Sequence, residues 1–170
     1  MDISANDQDL NVILPTDPTP ATHPDDAGKQ TLNVTVLDQL LATELVTADA
    51  CRRAGVLFNQ LPVAEVLRGV MVGHHQRAQV LRDIIRSNQG IPTELHEQDS
   101  DIAALFSANV RLVFALLLDL EHRGVAEYRQ ALRQLDDLTR TQVEAELLPA
   151  QERALATLAG AQPPAADGSV

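Results

Sequence analysis

The sequence predicts an all-α protein: an antiparallel four-helix bundle flanked by disordered N- and C-terminal tails. Three observations predict it. Apolar residues make up 45% of the 170-residue chain while aromatics make up 2%, so Leu, Ala and Val must fill the core. That supply disfavours a β-sandwich or barrel, whose strands draw on aromatic and β-branched residues. The apolar residues recur at three and four positions over long stretches, which is the helical period. Hairpin signals such as Asn-Gly between alternating runs are missing.

Residues 1–30 carry Pro15, Pro18, Pro20 and Pro24 among acidic residues and read as a disordered acidic tail. The bundle is expected over 31–160, and 161–170 reads as a second tail. The first helix is expected from about Leu32 to Phe58, with Val36, Leu40, Leu41, Leu45 and Ala48 on its inner stripe. Pro62 suits the start of the second, which runs to about Ser87 with Val63, Leu67, Val70, Leu81 and Ile84 inward. Gly90-Ile91-Pro92 stops it, and a polar connection from Thr93 to Ser100 follows as a crossover. The third helix starts near Ile102 or Ala108, with Asp99, Ser100 and Ser107 as candidate caps, and ends near Leu135. Its stripe is Val110, Val113, Phe114, Leu117, Val125 and Tyr128. The fourth covers about Leu138 to Leu158, with Leu147, Leu148, Leu155 and Leu158 inward. Pro149 inside it predicts a kink or break near Glu146.

Charge and cysteine content restrict the function. The formal charge is −11, opposite to the basic footprint that a nucleic-acid or anionic-lipid binder needs, so neither partner is expected. No apolar run approaches the ~20 residues of a membrane span, and the acidic N-terminus lacks a secretory h-region, so a cytoplasmic protein is expected. With a single cysteine, Cys51, no internal disulfide and no Cys-based zinc site are expected, and Cys51 reads as a small core residue. Phosphate-binding loops and nucleophile elbows are absent.

The informative residues are polar groups that interrupt the apolar stripes. Glu44 follows Leu40 and Leu41 and precedes Ala48. His74 lies between Val70 and Ala78, with Arg77 one turn on. Glu121 lies between Leu117 and Val125, and Gln151 between Leu147 and Leu155. Tyr128 joins them on the stripe of the third helix. Each helix thus offers a polar group to the centre, and buried charge must meet partners. His75 diverges from His74 by ~100° on a helix and is a flank, not a co-ligand. His23, His96 and His122 are given no role.

The segments "TLNVTVLDQLLATELVTADACRRA", "HHQRAQVLRDIIRSNQGIP" and "DLEHRGVAEYRQAL" resemble the ferritin-like superfamily, including bacterioferritin and rubrerythrin. They are most similar to bacterial ferritin-like bundle proteins linked to stress responses. The resemblance implies a di-iron centre built from one Glu on each of two helices and a Glu-x-x-His pair on each of the others. Glu44 and Glu121 match the single glutamates. His74 then Arg77 stand where helix two would give its pair, and Gln151 and Ala154 stand where helix four would. Glu-x-x-His occurs nowhere in the chain.

Two arrangements follow. In the first, Arg77 takes the place of the metal and bridges Glu44 and Glu121, with His74 and Gln151 completing the hydrogen bonds and the Tyr128 hydroxyl bonded to an inward carboxylate or to water. No cofactor is then needed, and the expected role is a non-catalytic stress-associated or interaction protein that forms a homodimer or other homo-oligomer. In the second, a reduced ligand set of Glu44, Glu121 and His74, with Gln151, Glu144 or Glu152 in support, holds iron in a degenerate oxidase or iron-binding protein. An iron-storage shell subunit is a third reading.

Overall fold

The structure is a computed structural model and describes residues 24–59, 61–93 and 110–161. Those residues are all-helical, without a strand among them. The expected third-helix start at Ile102 or Ala108, its candidate caps, most of the polar connection, His23, His96 and most of both tails lie outside the described residues.

Helix α1 spans Pro24–Leu57 and, at 34 residues, is about 51 Å long. It starts inside the segment expected to be tail. Pro24 opens the helix where its missing N–H costs nothing. Helix α2 spans Val63–Ser87. Its end is closed by Asn88, whose side chain donates to the Ile84 carbonyl at 2.9 Å, and by the Gly90 N–H on Ile85 at 2.9 Å. Gln89 between them has φ 59°, the left-handed region that L residues enter at a cost. Gly90 is required by close packing: a Cβ there would lie 2.7 Å from both methyls of Val34 on α1.

Helix α3 spans Val110–Ala131. Asp136 then caps α4, Asp137–Gln142, by accepting from the Thr139 N–H at 2.9 Å. A π-helical turn, Val143–Leu147, connects α4 to α5, Leu148–Gly160. The Leu148 N–H reaches back five residues to the Val143 carbonyl. This wide turn is the irregularity expected from Pro149, which has no N–H to continue an α ladder. It lets α4 and α5 run on as one composite segment.

Helix α1 packs most extensively on α2 and also on α3, while α5 packs on α3 and α2. The interior is divided along its length. One apolar cluster holds Leu37, Leu41, Leu81, Ile85, Leu135 and Leu147. The other holds Ala54, Phe58, Leu67, Phe114, Leu117 and Leu158. On α1, α2, α3 and α5, Glu44, His74, Arg77, Glu121 and Gln151 fall between the members of the two clusters, with Tyr128 at the edge of the first, so a polar layer separates two apolar halves. Leu45, Leu148 and Leu155, expected on the inner stripes, are half-buried. No helix among the described residues is long and apolar enough to cross a membrane.

Candidate functional site

Glu44, His74, Arg77, Glu121, Tyr128 and Gln151 are all at most 4% exposed and form one connected network. Helix periodicity brings them together. Glu44 sits one turn after Leu40 on α1, and His74 and Arg77 share a face of α2 at i, i+3. Glu121 and Tyr128 lie two turns apart on α3, and Gln151 projects from α5.

His74 is the bridge. Its Nδ1 lies 2.6 Å from Oε2 of Glu44 and its Nε2 lies 2.8 Å from Oε1 of Glu121. Arg77 donates from Nε to Oε1 of Glu44 at 2.8 Å, and the Tyr128 hydroxyl donates to the same oxygen at 2.7 Å. Gln151 donates from Nε2 to Oε2 of Glu121 at 2.8 Å. The expected bridge by Arg77 is therefore corrected: Arg77 pairs with Glu44, and the imidazole spans the two carboxylates. Arg77 lies one turn further along α2, toward the cluster that contains Tyr128. Its head also borders a cleft lined by Gly69, Gly73, Gln76, Ala150 and Arg153. A long side chain anchored there holds one carboxylate, while the short imidazole sits between both.

The electrostatics follow from this geometry. Burial acts to lower the pKa of His74, but the hydrogen bonds and charges of Glu121 and Glu44 outweigh it and hold the pKa above its ordinary value. Burial acts to raise that of Glu44, and the His74 hydrogen bond with the Arg77 charge overcomes it, leaving Glu44 below the usual carboxylate value. Burial and the neighbouring Glu44 push the Tyr128 phenol well up, so it remains a donor. An imidazolium at His74 donates from both ring nitrogens. The Arg77 Nη2, 2.8 Å from His74 Nδ1, is then a contact between two donors that share Glu44 rather than a hydrogen bond.

The orphan in this layer is Oε1 of Gln151, buried without a hydrogen-bond partner. Gly124 on α3 makes room for the amide, since a Cβ there would lie 2.6 Å from Gln151 Nε2.

No family model matches the sequence, and no curated protein or solved structure is detectably similar to it. The site must be read from its own chemistry. Among the described residues, the Cys, His and acidic side chains whose ligand atoms converge are Cys51, His74 and Glu121, all buried, with those atoms within 4.8 Å of one another. Cys51, expected as a small core residue, is therefore also one of the convergent groups. The signal was present, because Cys51 follows Glu44 by seven residues and shares its face of α1. Glu44, expected as a ligand beside His74 and Glu121, meets the far ring nitrogen of His74 instead. His75, expected as a flank, and His122, given no role, are both exposed.

Proposed function

We propose that this chain is a non-catalytic, ferritin-like antiparallel four-helix bundle whose di-iron position is filled by a salt-bridged polar layer. The layer works as an internal fastener in a cytoplasmic stress-associated or interaction protein. The observation that carries the reading is the complete occupation of both carboxylates by protein donors. Glu44 accepts from Arg77, Tyr128 and His74, and Glu121 accepts from His74 and Gln151. A two-iron centre needs carboxylate oxygens free to bridge metals and needs further carboxylate and imidazole ligands. A guanidinium and an amide stand at those positions, so this donor set does not fit two irons.

The bundle reading is supported by residue pairs that run in opposite senses on adjacent helices: Asn33 with Asn88 and Glu44 with His74. Exposed Val46, Val56, Leu57 and Val72 favour self-association as a homodimer or other homo-oligomer. The stress-associated role rests on the resemblance of the first three helices alone.

The test is aerobic Fe(II) addition to chelator-stripped protein. The reading expects iron oxidation no faster than in buffer. Two irons per chain, with oxygen uptake that requires Glu44 and Glu121, would overturn it. Light scattering should give a small oligomer, whereas a large hollow shell would favour storage.

A further inference from the structure

We propose that Cys51, His74 and Glu121 form a site for one thiophilic divalent cation of the zinc class. The inference goes beyond the fastener, which requires no cation; a bound cation takes over the His74–Glu121 span, while Arg77 and Tyr128 keep their hold on Glu44. Around one zinc ion with Zn–S ~2.3 Å and Zn–N and Zn–O ~2.0–2.2 Å, tetrahedral ligand atoms stand roughly 3.3–3.6 Å apart. The three ligand atoms here lie within 4.8 Å of one another, on three different helices. The 2.8 Å between His74 Nε2 and Glu121 Oε1 has only to open by about half an ångström to admit the ion.

The surroundings are those of a built site. A ligating histidine is normally oriented by a carboxylate on its other ring nitrogen, and Glu44 occupies that place at 2.6 Å from Nδ1. Glu44 is itself fixed by Arg77 and Tyr128. The second oxygen of Glu121 is held by Gln151, whose own Oε1 is the unpartnered buried acceptor of the layer. That acceptor suits a water on a fourth coordination position. Entry is provided by a cleft between α1 and α2, whose wall includes Cys51, Gly55, Ala64, Arg68 and Met71.

The charges balance. The cation enters as the thiol proton of Cys51 and the Nε2 proton of His74 leave for solvent. The two positive charges that enter replace the two that leave, so the net charge of the layer is unchanged. A thiolate in the set favours zinc, cobalt or cadmium over magnesium or calcium.

The experiment uses the full chain, stripped by chelator and refolded from urea with Co(II), so that burial is no barrier to entry. One cobalt per chain is expected, with a thiolate-to-cobalt charge-transfer band that Zn(II) displaces. The Cys51→Ala variant should lose the band and bind at least about 100-fold more weakly, a ligand being worth no less than an outer-sphere partner. The Glu127→Gln variant, altered on the exposed face of α3, should bind as the wild type does. Absence of the band in the wild type at excess Co(II), or unchanged affinity in Cys51→Ala, would overturn the proposal. The wild-type spectrum decides even where a variant fails to fold. Iron oxidation tests the fastener reading and the thiolate band tests this one, so the two fail separately.

Discussion

A Cβ on Gly124 would stand 2.6 Å from the amide nitrogen of Gln151, so the glycine in the middle of α3 is what allows α5 to deliver a donor to Glu121. In an ordinary exposed helix, Gly→Ala gains about 1 kcal/mol. Here the added methyl must push Gln151 off Glu121, and overpacking of this kind costs roughly 1–3 kcal/mol. The sign should therefore reverse. Gly124→Ala is expected to lower the urea midpoint, and adding Gln151→Ala in that background should recover part of the loss. A Gly124→Ala protein more stable than wild type would contradict the packing.

The polar layer makes the metal-free chain sensitive to pH from both sides. Glu44 titrates below its ordinary 4.5 in the folded state, so its contribution is complete above that value and fades as pH falls through the folded pKa. His74 titrates above its ordinary 6.5, so its contribution is complete below 6.5 and is lost as pH rises through its folded pKa. Both act in full only between about pH 4.5 and 6.5, where the layer should support stability most. Urea midpoints across pH, measured with chelator present, should decline on both sides. In His74→Gln the decline on the alkaline side should flatten until Tyr128 titrates. Asp136, also held below the usual carboxylate value against its burial by bonds from Thr139 and Asn33, adds to the acid limb.

Asn33 ties two helix termini to α1. Its Oδ1 accepts from the Asp136 N–H at 3.1 Å, and its Nδ2 donates to Asp136 and, at 3.4 Å, to Asn88. Replacing it by alanine leaves buried polar groups at the start of α4 without partners, so Asn33→Ala should cost about 1–3 kcal/mol. Asp136→Ala, which removes the cap itself, should cost about 0.5–2 kcal/mol. Denaturant unfolding of the two variants and their double should give less than the sum of the two losses, because both act on one junction.

Gln89 holds φ 59° at the end of α2, and its side chain is exposed. Gln89→Gly should raise stability by roughly 0.5–1 kcal/mol, the relief of left-handed strain offset by the greater freedom of glycine in the unfolded chain. Gly90→Ala, one residue on, should do the opposite, because its methyl meets Val34 and Ile85. Thermal melts of the pair give opposite shifts if the turn is as described.

Much of this arrangement is legible in the sequence, for identifiable reasons. The apolar stripes expose Glu44, His74, Arg77, Glu121 and Gln151 as intruders because a helix fixes each side chain's direction to within a residue. Pro149 signals the irregular turn because its missing N–H is a property of the residue itself. The division of labour within the layer is not legible, since periodicity places Arg77 and His74 on one face but does not say which reaches both carboxylates. Cys51 is hidden by its ordinary behaviour as a core residue, and its meaning depends on atoms from α2 and α3. Asn33 is hidden because its partners are far along the chain. The early start of α1 was readable from Pro24-Asp25-Asp26, but the prolines before it mask that signal.

The central claim is that Arg77 and Glu44 are a buried, mutually dependent pair, joined at 2.8 Å with side chains at most 5% exposed. A double-mutant cycle with Arg77→Met, Glu44→Gln and the double variant, followed by urea unfolding of the metal-free chain, measures that dependence directly. Each single variant should lose about 3–5 kcal/mol by stranding its partner, and the double should lose distinctly less than their sum, with a coupling of roughly 1–3 kcal/mol. Losses that simply add, or an Arg77→Met variant as stable as wild type, would contradict the account.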